Sequence, residues 1–136
     1  MNFARALVRF LPVLGLLVAA HALSAGSAAA AELVMFESAG CPWCKLWHEE
    51  IGPAYPKSEE GRIAPLRRVA LDRKIPADLK GVKGVNMTPT FVLLDDKGRE
   101  LGRMRGYPGA DFFWPLLDDL MIRGGLVTVM DSMAAN

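Results

Sequence analysis

The chain has two cysteines, Cys41 and Cys44, and they are separated only by Pro42 and Trp43. The pair follows the apolar run 33–36 and opens a segment with the residue pattern of a helix. Unpaired N–H groups at the start of a helix favour the thiolate form of a cysteine, and the thiolate is the species that attacks a disulfide. The spacing also allows the two thiols to close into a small ring. These four residues therefore predict a thiol–disulfide redox centre.

A closely spaced cysteine pair has three other uses in proteins. A zinc ion takes about four ligands, but only His48 lies near the pair in sequence, and His21 is in a segment that we expect to be removed. Haem attachment needs a histidine directly after the second cysteine, where Lys45 stands. A purely structural disulfide remains an alternative, although closing so short a loop removes little unfolded-state entropy. We predict no metal and no cofactor.

The N-terminal segment has the pattern of a secretory signal peptide. Arg5 and Arg9 precede the apolar run 10–20, and a tract of small residues with Ala-x-Ala sites follows it. We expect cleavage just before Ala31 or Glu32. The alternative is a membrane anchor, but the apolar run is short for a span of about 20 residues. The protein is therefore expected in the periplasm, where disulfide chemistry is possible.

The predicted organisation is a cleaved signal peptide (1–31), one domain (32–124) and a flexible C-terminal tail (125–136). The whole chain carries 16 Lys and Arg against 15 Asp and Glu, a net charge of +1. No basic stripe accompanies this balance, so we predict no nucleic-acid partner.

The hydrophobic pattern and the turn residues predict the following elements after the signal peptide. They are a strand at 32–38, a helix at 41–51, a polar loop at 58–62, a strand at 65–72, a short helix at 76–80, strands at 90–94 and 99–105 joined by a turn, and a helix at 111–123. The core candidates of the last helix are Phe112, Leu116, Leu117, Leu120 and Met121. The aromatic core candidates are Phe36, Trp47, Phe91, Phe112 and Phe113.

This order, β-α-β-α-β-β-α, together with the cysteine pair, resembles the thioredoxin superfamily. The segment 87–91 (Met-Thr-Pro-Thr-Phe) is similar to the loop of that fold in which the proline follows a cis peptide bond. The resemblance implies an α/β thioredoxin-like fold, a central mixed four-stranded sheet flanked by helices. It also implies a cis Thr88–Pro89 bond, although an ordinary trans proline in a turn is the alternative.

Two segments, 36–47 and 105–109, resemble periplasmic thioredoxin-like thiol-disulfide oxidoreductases of bacterial sulfur-oxidation gene clusters. That resemblance implies an exported enzyme that reduces or maintains the thiols of a periplasmic partner protein. Its substrate would be a protein dithiol or disulfide, its electron donor a membrane thiol reductase, and the protein a monomer. The alternatives are a non-catalytic adaptor with a structural disulfide and, within the enzyme class, a periplasmic dithiol oxidase.

The family mechanism makes Cys41 the attacking cysteine and Cys44 the resolving one. The substrate-binding residues that the resemblance implies are Pro42, Trp43, Thr88, Pro89 and Tyr107.

The chain departs from the family at the residue that helps to move protons at the second cysteine. Cytosolic thioredoxins have a buried aspartate there, and this chain has Met35. Strand alternation places Glu37 on the same face as Met35, so Glu37 is a candidate for proton transfer or else a solvated surface residue. His48, one helical turn after Cys44, either tunes the thiol chemistry or lies on the surface.

Overall fold

Four strands form one mixed sheet in the computed structural model, which describes residues 31–128 and residue 134. The strands are β1 (Glu32–Glu37), β2 (Leu66–Ala70), β3 (Thr90–Leu94) and β4 (Glu100–Arg105). Their order in the sheet is β2-β1-β3-β4. β1 runs parallel to β2 and antiparallel to β3, and β3 runs antiparallel to β4. The predicted fold class is confirmed. The predicted signal peptide, 1–31, lies outside the described residues except for Ala31.

Three helices accompany the sheet: α1 (Pro42–Glu50), α2 (Glu59–Ile63) and α3 (Ala110–Arg123). Two single turns of 3₁₀ helix occur at Tyr55–Lys57 and Ala77–Leu79. The second of these is what remains of the helix predicted at 76–80, and it buries Leu79. Within the part of the chain that the structure describes, no helix has the length and apolar character needed to cross a bilayer.

β1 is buried on both faces and therefore separates two apolar layers. Leu33 and Met35 contact the larger layer, which also contains Trp47 of α1 and Phe113 of α3. The alternate residues of β1 belong to a smaller layer. Because side chains alternate along a strand, the apolar run within β1 contributes apolar side chains to both layers. The loop that carries Cys41 therefore begins at the end of a strand that is buried on both faces.

The segment 58–62 was predicted as a loop, and this is wrong, because α2 occupies it. Ser58 caps the helix: its hydroxyl oxygen accepts a hydrogen bond from the Gly61 N–H at 3.0 Å. Glu59 and Glu60 follow in the first turn, where acidic side chains are favoured by the helix dipole. The capping signal is in the sequence, but a helix this short has no apolar periodicity to reveal it.

Phe112 and Leu116 were predicted as core contacts of the last helix, and this too is wrong. Their side chains are 65% and 44% exposed. The buried residues of α3 are Phe113, Leu117, Leu120 and Met121. These follow the i, i+4, i+7, i+8 spacing of one helical face, and residues 112 and 116 lie just outside that face.

Four strand boundaries also differ from the predicted ones, by one or two residues each. β2 ends at Ala70, two residues before the predicted end. β4 begins at Glu100 because Arg99 belongs to the preceding turn, where its N–H donates to the Asp95 carboxylate at 2.8 Å.

Candidate active site

Cys41 occupies the N-cap of α1, directly after the loop that leaves β1. Its backbone is extended (φ −75°, ψ 107°), and Pro42 occupies the first turn, where a missing N–H costs nothing. The loop turns at Gly40, whose φ of +75° lies in the left-handed region that favours glycine. The Cys41 Sγ accepts a hydrogen bond from the Cys44 N–H at 3.1 Å. A thiolate formed at Cys41 would therefore have a backbone donor already aimed at it.

The two cysteines form a disulfide, with 5.3 Å between their Cα atoms. They differ in access to solvent: Cys41 is partly exposed, whereas Cys44 is 4% exposed. Trp47 lies behind Cys44 in the same apolar layer and contacts the rings of Phe91 and Phe113. This aromatic packing holds α1 against the sheet, so that one sulfur faces the surface and the other the interior.

The residues between and beside the cysteines form an exposed surface. Pro42 is exposed, and the Trp43 side chain is 57% exposed. Met87, in the loop before β3, is also exposed. An aromatic side chain left in solvent next to a disulfide has no packing role in its own domain, which favours a contact with another molecule.

The loop before β3 lies next to the loop that carries Cys41. The Ser38 and Thr88 hydroxyl groups are hydrogen-bonded at 2.9 Å, and the Ser38 carbonyl accepts from the Cys41 N–H at 3.3 Å. The Thr88–Pro89 peptide bond is cis. Thr88 is half-buried, whereas Pro89 is buried and its carbonyl accepts from the Gly106 N–H. Ser38, which the sequence analysis did not single out, connects the two loops.

Tyr107 does not contribute to an accessible rim, because its side chain is only 6% exposed. Its hydroxyl donates a hydrogen bond to Glu50 Oε2 at 2.5 Å, and its ring makes an edge contact with Phe113. Burial, reinforced by the Glu50 carboxylate, raises the pKa of Tyr107 above its usual range. Tyr107 therefore connects the end of α1 to the loop that follows β4.

Glu37 is at the centre of a charged cluster beside the cysteines. Its Oε2 is 2.7 Å from His48 Nε2, and its Oε1 is 2.7 Å from Arg68 Nη2 and 2.8 Å from Arg68 Nε. Burial works to raise the pKa of Glu37, but the hydrogen bonds from His48 and Arg68 outweigh it and hold the pKa below the usual value. Glu37 is thus an ionised, paired carboxylate and not a solvated surface group.

An open cleft joins this cluster to the disulfide. Its lining residues come from the end of β1, the following loop and one face of α1: Glu37, Ser38, Gly40, Cys41, Pro42, Cys44, Lys45, His48 and Glu49. Among the described residues, no group of three or more potential ligands is arranged to hold a metal ion.

The pairing of Glu37 with Arg68 was missed at the level of sequence. The Arg67–Arg68 doublet marks a strand with charged residues, but only the strand register shows which arginine reaches Glu37. In the sheet, Arg68 pairs with Met35, one strand repeat before Glu37. His48 was a candidate, and its partner became evident only when α1 was placed on the face of the sheet that carries Glu37.

Comparison with known proteins agrees with this geometry. A family model described as a thioredoxin-like domain matches residues 24–121. The structure of the periplasmic thioredoxin SoxS from Paracoccus pantotrophus, in its reduced form, is 45% identical; the match covers 68% of this chain and 97% of that one, with a TM-score of 0.64. A thioredoxin from Thermus thermophilus is 25% identical, with 71% of this chain and 77% of that one covered and a TM-score of 0.54. No curated protein matches the chain.

A thioredoxin-fold protein from Helicobacter pylori shares the fold, with 21% identity, a TM-score of 0.51, and 71% of this chain and 70% of that one covered. The resemblance to the thioredoxin superfamily that the cysteine pair and the segment 87–91 indicated is confirmed. The sheet order, the cysteine pair at the start of α1 and these matches lead to one assignment: the chain belongs to the thioredoxin-like family.

Proposed function

We propose that this protein is an exported thiol–disulfide oxidoreductase that reduces, and so maintains, the thiols of a periplasmic partner protein. The observation that carries the proposal is the asymmetry of the cysteine pair. Cys41 is accessible at a helix N-cap and accepts a backbone hydrogen bond, whereas Cys44 is buried behind it. An accessible thiolate suits attack on a partner, and a protected thiol suits release of that partner.

In the proposed reaction the reduced protein supplies two electrons. The Cys41 thiolate attacks one sulfur of the partner disulfide, and the other partner sulfur leaves as a thiolate. Cys44 then loses its proton and attacks Cys41 Sγ, which breaks the mixed disulfide and releases the second partner sulfur. The partner ends as a dithiol, and the protein ends with the Cys41–Cys44 disulfide.

The surface around Cys41 is proposed to bind the partner. Pro42 and Trp43 are exposed next to Cys41, and the hydrogen bond between Ser38 and Thr88 holds the segment 87–89 against the loop that leads to Cys41. An extended partner segment would lie along the Thr88–Pro89 edge, in the manner of strand addition. Tyr107 is buried, so its proposed contribution is indirect: its hydrogen bond to Glu50 holds the loop after β4 against α1.

The proposed reaction takes place in the periplasm. The similarity to a periplasmic thioredoxin supports a periplasmic location. A partner in a sulfur-oxidation system is what the resemblance of the segments 36–47 and 105–109 implies. The periplasm is kept oxidising, so a reductant there needs a source of electrons, which we propose to be a membrane thiol reductase. The protein would act as a monomer, with its signal peptide removed.

Trapping of the mixed disulfide tests the proposal. In the Cys44→Ala variant the second step is blocked, so a covalent complex with the partner should accumulate in periplasmic extracts and be identified by mass. The matched control is Cys41→Ala, which should form no complex because the accessible nucleophile is missing.

Equal yields from the two variants would contradict the assigned roles. If neither variant forms a complex and partner-directed activity survives in Cys41→Ala, the disulfide is only structural. A measured reduction potential separates a reductant from a dithiol oxidase, because couples of this kind span about −270 to −120 mV.

A further inference from the structure

The mechanism proposed above leaves one proton without an acceptor. Cys44 must become a thiolate before it attacks Cys41, and a buried thiol is more difficult to ionise than a free one. Met35, buried and apolar, stands where cytosolic thioredoxins carry an aspartate. The base must therefore come from another side chain that reaches the cleft next to Cys44.

His48 is placed on the same face of α1 as Cys44. The two residues are four apart in one helix, a spacing that makes side chains neighbours, with about 5–6 Å between Cβ atoms. Helical side chains also lean toward the N-terminus, so the imidazole of His48 leans over the turn that carries Cys44. Both residues line the open cleft beside the disulfide.

The hydrogen bond to Glu37 determines which nitrogen of His48 can accept a proton. Because Glu37 is ionised and can only accept, the Nε2 at 2.7 Å must carry a hydrogen and donate it. A neutral imidazole then has its lone pair on Nδ1. The carboxylate thus orients the ring and compensates the positive charge that the ring gains on protonation.

The charges around His48 favour this role. Glu37 approaches from β1, and Arg68 from β2 contacts the far oxygen of the same carboxylate, which keeps Glu37 anionic. On α1 itself, Lys45 and Glu49 face the cleft and pair with each other at 3.8 Å.

We propose that His48 is the base that takes the proton from the Cys44 thiol, directly or through one water, with Glu37 as its positioning residue. This inference rests on the proposed function. In the step, the Cys44 S–H proton passes to His48 Nδ1, and the Cys44 thiolate forms a bond to Cys41 Sγ. The bond between Cys41 and the partner sulfur breaks, and that sulfur leaves with the electron pair. The imidazolium afterwards returns its proton to solvent or to the departing thiolate.

Single-turnover reaction with 5,5′-dithiobis(2-nitrobenzoate) separates the two steps. The reduced protein releases a first thionitrobenzoate when Cys41 attacks and a second when Cys44 resolves the mixed disulfide. In His48→Gln we expect the first release to be unchanged and the second to slow by about 10²-fold, the usual contribution of a general base. In His48→Ala the second release should be slow as well, and added imidazole should restore it.

Two further variants complete the design. Glu37→Gln should slow the second release by a smaller factor, because the ring remains in place but loses its counter-charge. Glu59→Gln makes the same change of charge on α2, outside the cleft, and should leave both releases unchanged.

The inference is overturned if the second release in His48→Gln stays within about twofold of that of the parent protein, or if imidazole fails to rescue His48→Ala. Rescue by imidazole is a result that a merely structural role for His48 would not produce. Loss of the first release in the parent protein itself would instead contradict the proposed function.

Discussion

The pKa values of individual carboxyl groups in this protein are shifted in opposite directions by their neighbours. Hydrogen bonds from His48 and Arg68 lower the pKa of Glu37 against the effect of burial. Asp118 of α3 shows the reverse, because burial and the nearby Glu60 carboxylate raise its pKa to about 6. A residue's type is therefore a poor guide to its charge, and its neighbours decide.

The Asp118–Glu60 pair predicts a pH dependence of stability. The folded pKa of Asp118 is about 6, above the ordinary value of 3.8, so the folded state binds the proton more tightly. The free energy of unfolding should therefore fall as the pH rises from about 4 to about 6. Asp118→Asn should remove this decrease and stabilise the protein at pH 7 by about 1 kcal/mol. The effect is no larger because both groups are partly exposed and solvent screens their interaction.

Urea unfolding at pH 5 and pH 7 measures this effect. The control is Asp119→Asn, which alters the next residue, an exposed carboxylate paired with Arg123. Equal pH dependence in the parent protein and Asp118→Asn would contradict the prediction.

At the level of elements, α3 has apolar residues on several sides but buries only one of them. The stripe from Phe113 to Met121 packs against the sheet and α1, whereas Phe112 remains in solvent. Phe113 contacts the rings of Trp47, Phe91 and Tyr107 and so belongs to the support of the candidate site.

The adjacent phenylalanines form a matched pair for mutation. Phe113→Ala should lower the free energy of unfolding by about 3–5 kcal/mol, because it leaves a cavity in the aromatic layer. Phe112→Ala should change it by less than about 0.5 kcal/mol, as is usual for surface substitutions. Denaturant unfolding of both variants provides the comparison, and a similar loss in the two would show that the buried face of α3 is wrongly placed.

At the scale of the whole molecule, the loop that carries Cys41 lies at one end of the central strand pair, β1 and β3. β1 leads into Cys41, and the segment 87–89 leads into β3, which pairs with β1. Because β1 and β3 are neighbours and antiparallel, the end of one and the start of the other meet at the same edge. The hydrogen bond between Ser38 and Thr88 connects the two loops at this edge.

The predicted signal peptide implies that the protein found in the cell is shorter than the full sequence. Arg5 and Arg9 followed by the apolar run 10–20 predict export with removal of the segment 1–31 or nearly so. N-terminal sequencing of the protein from a periplasmic fraction should return a chain that begins at Ala31 or Glu32. An intact Met1 on the exported protein would contradict the prediction.

Local pattern alone was sufficient for much of the fold and for the centre of the site. The cysteine pair and the apolar strand before it are contiguous signals, so their meaning does not depend on distant residues. The four strands and the two longer helices are predictable from sequence for this reason. α2 is not, because a helix of five residues has a cap but no periodicity. The cis bond in the segment 87–91 was implied only by the resemblance to the thioredoxin superfamily.

The parts of the fold and of the candidate site that were not predicted from sequence depend on how the elements pack. Whether Glu37 is solvated or paired depends on the strand register that brings Arg68 to it and on the placement of α1 over β1. The face that α3 buries decides that Phe112 is exposed. The packing of the loop before α3 against Phe113 and Glu50 decides that Tyr107 is buried. The sequence by itself determined the four strands, the two longer helices and the position of the cysteine pair, because these follow from neighbours along the chain. The tertiary structure decided the charge, the burial and the partners of the surrounding side chains, because these follow from contacts between residues far apart in sequence.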